Sequence, residues 1–345
     1  MAETEHPNSE RGEEVSPSSI PAGFNVCVQG FENEDAARSM GQIVGDIIVE
    51  LGRTIDLSRL DGVTIGVDYD AALASIDRGM SNLRPLSRSD TEEMQGIAMS
   101  PAVLRDGEVR THLVFSAEHL VPLIWQGEEV TDADRRHTIG VITHECAHVQ
   151  VTAEKEIAIP ECRLGTRIEG YERAVMFQIA EICWDEYAAC RLSSPYAVGQ
   201  NISHAATVIA CSETAREQAD NAIRSYRVHG DIDRLVQEAG PPICAPLKAL
   251  AYLLGGMDGE GTDWDGLPEV FAAIENAGYT ELARDLHCEL LRLWNTRGNW
   301  NPTLDTFSGI EEVAKSAFDT NGLYFKTDAA GNCRIDVPFT PHTMP

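Results

Sequence analysis

The sequence predicts an α+β fold, in which a small mixed or antiparallel sheet packs on one helix and a mostly helical half follows. Three observations carry this. Over the first 120 residues, stretches with apolar residues every three or four positions alternate with short β-prone runs. An Asp-Gly pair at 106–107 separates two of those runs, as a tight hairpin turn requires. Beyond residue 165 the helical period dominates almost without a break.

Taken in order, residues 1–22 are rich in Glu, Ser and Pro and carry hardly any large apolar side chain. They cannot bury enough surface to offset the entropy of ordering, so a disordered acidic tail is expected. Between 34 and 52, Met40, Val44, Ile47, Ile48 and Leu51 recur at helical spacing and the run ends at Gly52. Residues 62–67 read as a strand and 70–77 as a short helix, followed by a chain reversal at the Gly, Asn and Pro of 79–85. Residues 95–104 and 110–115 should pair antiparallel across the Asp-Gly turn.

Thr131 or Asp132 then caps a helix in which Ile139, Ile142, Cys146 and Val149 form an apolar stripe. Further helices are expected over 168–192, 202–227, 230–239, 244–255, 268–276 and 279–295, with a loop at 255–264. From Arg297 onward the chain is mixed and turn-rich. Four units follow: the tail 1–22, a domain over 23–200, a helical subdomain over 201–298 and a mixed segment over 299–345.

Composition narrows the function classes. The formal net charge is −28, from 55 acidic against 27 basic residues. That balance argues against nucleic acid or an anionic membrane as a direct partner, since phosphate binding relies on basic patches. No apolar run is long enough to span a bilayer, and the first residues lack the basic and apolar regions of a signal peptide, so a cytoplasmic location is expected. The nine cysteines are scattered without Cys-x-x-Cys pairs, which points to reduced thiols packed as small core residues.

The most informative segment is His144-Glu145-Cys146-Ala147-His148. On a helix, residues four apart share one face, so both imidazoles can grip one ion while Glu145 reaches a water beside it. Two histidines are insufficient, because catalytic zinc commonly takes three protein ligands and keeps an open position. Three glutamates compete for the third place. Glu154 lies ten residues after His144, but the glycine that would turn the chain back to the metal is replaced by Val151, so Glu154 is expected to face solvent.

Glu181 and Glu186 sit five residues apart on the next helix, about 140° around its axis, and cannot both face one metal. Glu186 shares its stripe with Val175, Ile179, Ile182 and Cys190, and a carboxylate on an apolar face needs a cation or strong hydrogen bonds. That cost favours Glu186. Against it, Glu181 with Asp185 forms a Glu-x-x-x-Asp pair whose second member could orient a ligating histidine.

His144-Glu-Cys-Ala-His148 followed by a helical glutamate resembles the gluzincin branch of the zincin metallopeptidases, in particular the compact minigluzincins. The likeness covers roughly residues 35–195 and includes Val141, three before the first His; Gln150, two after the second, departs from it. The resemblance implies one Zn²⁺ per chain held by His144, His148 and Glu186. It further implies Glu145 as general base, a peptide or protein substrate and 23–200 as the catalytic domain.

Tyr187, Tyr196 and His204 are candidates for stabilising an oxyanion, and strand 110–116 for an edge to which a peptide could add. Cys183 and Cys190 flank Glu186 and are expected to pack rather than bind metal, and Trp184 to anchor the helix. The rival reading is a non-peptidase zinc hydrolase or an inactive metal-stabilised binding protein.

Overall fold

The computed structural model describes residues 16–88, 96–125, 127 and 129–344. Of the expected tail, residues 1–15 lie outside the described part. Residues 16–22 are a correction, because they run as an ordered strap across the end of the first helix. Ser19 Oγ donates to the carbonyls of Gly52 and Ile55 at 2.8 and 3.0 Å, and Ile20 packs on the core. Ser18 Oγ adds a bond to the Val49 carbonyl at 2.8 Å, so two hydroxyls and one isoleucine tie down a segment whose composition suggested nothing to bury.

The first half alternates as expected, with one strand added. β1 (Val26–Gln29) leads into α1 (Glu34–Leu51), capped by Asn33, and β2 (Leu60–Gly66) into α2 (Tyr69–Ala74). β3 (Ala98–Met99) and β4 (Ala102–Arg105) precede β5 (Glu108–Ser116) and the short α3 (Ala117–Leu120). Asp106 and Gly107 both have positive φ, 51° and 79°, the geometry of the two-residue hairpin turn that Asp-Gly favours.

β1 pairs parallel with β2, and β2 parallel with β5, whose other side pairs antiparallel with both β3 and β4. The register of β3 on β5 (Met99 opposite Val114) continues in β4 (Ala102 opposite Thr111), so the two are one edge interrupted at Ser100-Pro101. Strand 110–116 is therefore inside the sheet and not the edge expected of it. The sheet's edges are β1 and β3, and the outer side of β4 is closed by Arg78, whose carbonyl accepts from Leu104 N–H and whose Nε donates to the Ala102 carbonyl.

One sheet face carries Val63, Ile65, Leu113 and Phe115, packed between α1 and the long α4 (Asp132–Ala158) through Val44, Ile48, Ile142 and Val149. Burying each such side chain contributes roughly 1.5–3 kcal/mol. α4 begins at Thr131 in a reciprocal capping box, with the Thr131 hydroxyl accepting from Asp134 N–H while the Asp134 carboxylate accepts from Thr131 N–H.

The second half is helical: α5 (Tyr171–Ser193), α6 (Gln200–His229), α7 (Ile232–Glu260), α8 (Pro268–Asn276), α9 (Thr280–Asn295) and α10 (Ser308–Thr320), then a hairpin of β6 (Tyr324–Thr327) and β7 (Cys333–Asp336). Two expectations are corrected here. The breaks at 240–243 and 255–264 are absent up to Glu260, because α7 runs through Pro241, Pro242 and Pro246. Burial of Ile243, Leu247, Leu250 and Leu254 in the core outweighs the lost backbone bonds. One core takes in α5 together with α6–α10, so the expected boundaries at 200/201 and 298/299 follow no break in packing. Among the described residues no helix is long and apolar enough to cross a membrane.

Candidate metal centre

The motif residues sit near the middle of α4, whose apolar stripe fixes its rotation against the sheet. Cys146 and Val149 point into the core, which turns His144 and His148 toward α5. α5 packs there, and fully buried Ala189, one turn from Glu186, is small enough to let the two helices approach. Glu186 projects into the gap.

The three donors converge. His144 Nε2 and His148 Nε2 lie 3.1 Å apart, and Glu186 Oε2 is 3.3 Å from the first and 3.4 Å from the second. Ligands bound to one zinc at about 2.0–2.1 Å in tetrahedral geometry stand roughly 3.3 Å from each other. Glu186 Oε2 is buried and has no hydrogen-bond partner, which is costly unless a cation completes it. The cluster is thus the one group of described side chains arranged to hold a metal ion, and its two imidazoles and single carboxylate suit zinc.

The other carboxylate oxygen is engaged. Lys248 Nζ on α7 lies 3.3 Å from Glu186 Oε1. Burial alone would raise the Glu186 carboxyl, but Lys248 and the imidazoles more than offset it and hold it well below the ordinary carboxylate range. Tyr252, one turn beyond Lys248, stacks on His144 at 5.7 Å between ring centroids. Burial and then the Glu186 charge push its hydroxyl well above the ordinary phenol range, so it stays a donor. Cys190 Sγ lies 3.6 Å from His144 Nδ1, and burial pushes its thiol up, so it packs against the ligand as a neutral group.

Glu145 faces the same cleft, a cavity of about 520 Å³ bounded by β3, α4, α5, α6 and α7. Its side chain is mostly buried, and Ser100 Oγ donates to its Oε2 at 2.5 Å. His204 on α6 stands opposite and burial lowers its pKa to about 4, leaving a neutral imidazole whose Nδ1 has no partner.

Other expected residues are placed elsewhere. Glu154 stays outside the cluster and partly exposed, as expected, and is clasped by Arg297 at 2.6 and 2.9 Å. Glu181 and Asp185 orient no histidine; both bind the buried ammonium of Lys155, at 2.7 and 2.8 Å. Tyr187 donates to Asp258 and Tyr196 meets Thr54 at the surface, so neither reaches the cleft. Trp184 and Cys183 are core residues, as expected. Lys248 and Tyr252 went unrecognised in the sequence, although a lone lysine in the apolar run Leu247-Lys248-Ala249-Leu250-Ala251 signals a buried counter-charge.

No known family profile, curated protein or solved structure matches the chain.

Proposed function

We propose that this protein is a zinc-dependent hydrolase of gluzincin type that cleaves peptide bonds. The carrying observation is the convergence of His144, His148 and the orphan Glu186 oxygen on one point, with the Glu145 carboxylate in the same cleft. Zinc held by the three residues would polarise a substrate carbonyl and lower the pKa of a water in the cleft.

The remaining steps belong to the chain. Glu145 takes a proton from the attacking water and carries it to the departing amine. Ser100 holds one of its oxygens and leaves the other for the proton. The Tyr252 hydroxyl and the neutral His204 are the donors available to a developing oxyanion, replacing Tyr187 and Tyr196 in that role. The short β3 edge, with Ala98 and Met99 on the cleft, can take an extended substrate backbone as an added strand.

A second reading has its own support. Lys248 already gives Glu186 a positive partner, which suits a site that persists without turnover in a binding protein. Zinc per chain measured by elemental analysis, with peptide hydrolysis assayed in wild type and Glu145→Gln, separates the two. One zinc in both proteins and hydrolysis reduced by roughly 10²–10⁴-fold in Glu145→Gln is expected. One zinc with no hydrolysis of any peptide selects the binding protein, and no zinc after resupply removes both.

A further inference from the structure

The two oxygens of Glu186 meet different neighbours. Oε2 is buried, has no hydrogen-bond partner and faces His144 Nε2 and His148 Nε2. Oε1 lies 3.3 Å from Lys248 Nζ. The carboxylate thus stands between a cation that the chain itself supplies and the point on which the two imidazoles converge.

Lys248 is held where it is. Its neighbours Leu247, Ala249 and Leu250 are fully buried, so α7 is fixed in the core on both sides of it. Its ammonium lies over the Tyr252 ring at 5.6 Å from the centroid, on a face that attracts a cation. Glu186 is its one ion-pair partner among the described residues, whereas the more deeply buried Lys155 has two carboxylates.

Oε1 is ill placed to serve an ammonium and a divalent ion together. Both would touch one oxygen, and like charges that close repel strongly in a buried site. The restriction matters for the chemistry. A catalytic zinc with three protein ligands keeps a fourth position for water, and a glutamate bound through both oxygens takes up part of that space.

We infer that Lys248 is a positioning residue that withholds Glu186 Oε1 from the metal, so that Glu186 binds through Oε2 alone and the fourth position stays open. The inference rests on the metal-centre reading and not on which bond the site cleaves. Its sign sets it apart from ordinary support. Losing a group that orients a ligand typically weakens metal binding by roughly 10–100-fold. Losing Lys248 should strengthen it, because a repelling charge goes and a second oxygen comes free.

The test compares full-length wild type with Lys248→Met, Lys248→Ala and Lys248→Arg. Zinc affinity is read by competition with a chelator, and coordination by loading cobalt(II), whose visible absorption weakens as the ligand number rises above four. In Lys248→Met, or in Lys248→Ala should the first fail to fold, zinc should bind roughly tenfold tighter, the change for one charge removed about 6 Å from a divalent ion under water-like screening. The cobalt bands should lose intensity in the same variant. Lys248→Arg keeps a cation beside Oε1 and should restore the wild-type spectrum. Zinc bound no more tightly in the neutral variants, or a cobalt spectrum that they leave unchanged, overturns the role of Lys248 while the metal centre stands. Wild type that takes up neither metal removes the centre and the inference together.

Discussion

The α4–α5 interface holds two buried polar clusters built from the same parts and finished differently. In one, Lys155 of α4 supplies an ammonium to Glu181 and Asp185 of α5. In the other, about two turns back along α4, His144 and His148 supply imidazoles to Glu186, and one carboxylate oxygen remains without a hydrogen bond. Burial would lower the Lys155 pKa, yet the two carboxylates more than offset it and raise it. That cluster carries its own cation, bound by both carboxylates. The contrast separates a carboxylate that ties two helices together from one that faces a gap of ionic size.

The comparison can be broken most forcefully by exchanging the losses. Lys155→Met strands two acidic groups in the interface and should cost about 3–5 kcal/mol of stability, read by urea denaturation, while zinc per folded chain stays at the wild-type value. Glu186→Ala should do the reverse, with zinc affinity falling by more than the roughly 10–100-fold typical of a supporting partner and a smaller effect on stability. Zinc loss in Lys155→Met, with the fold intact, would mean that the two clusters are one.

Chelation sharpens the same contrast at an intermediate scale. Removing zinc supplied at about 100 times its dissociation constant should lower wild-type stability by about 2.7 kcal/mol, with no change in His144→Ala; equal shifts in both would place the stabilising ion elsewhere. The smallest effect is expected of Glu181→Gln, about 1 kcal/mol, since Asp185 still holds Lys155. Zinc content should not move, and a clear drop would return Glu181 to the ligand set.

Much of this arrangement was legible from local pattern. The capping residue of α4, the Asp-Gly hairpin, and the preference for Glu186 over Glu181 all follow from rules that act within a few residues; the structure has the cap and the hairpin as read and brings Glu186, not Glu181, beside the two histidines. The rest depends on partners distant in sequence. β1 is four residues long and exists because β2 pairs beside it. Residues 110–116 read as an edge until β2 is known to occupy their other side. Lys248 and Tyr252 come from a helix whose three prolines argue for breaks, and only the core around α7 keeps that helix whole. Glu154 finds Arg297 across 143 residues, which no spacing argument reaches.

The far wall of the metal cleft has one further consequence. A Cβ on Gly255 of α7 would stand 2.2 Å from the Tyr187 carbonyl, and one on Gly256 would stand 1.9 Å from Asn201 Oδ1, so α7 is seated on its neighbours with no clearance. A wall fixed in that way does not swing aside as a loop does. On that side the cleft keeps its width, and whatever enters beside Tyr252 must fit the wall as it stands.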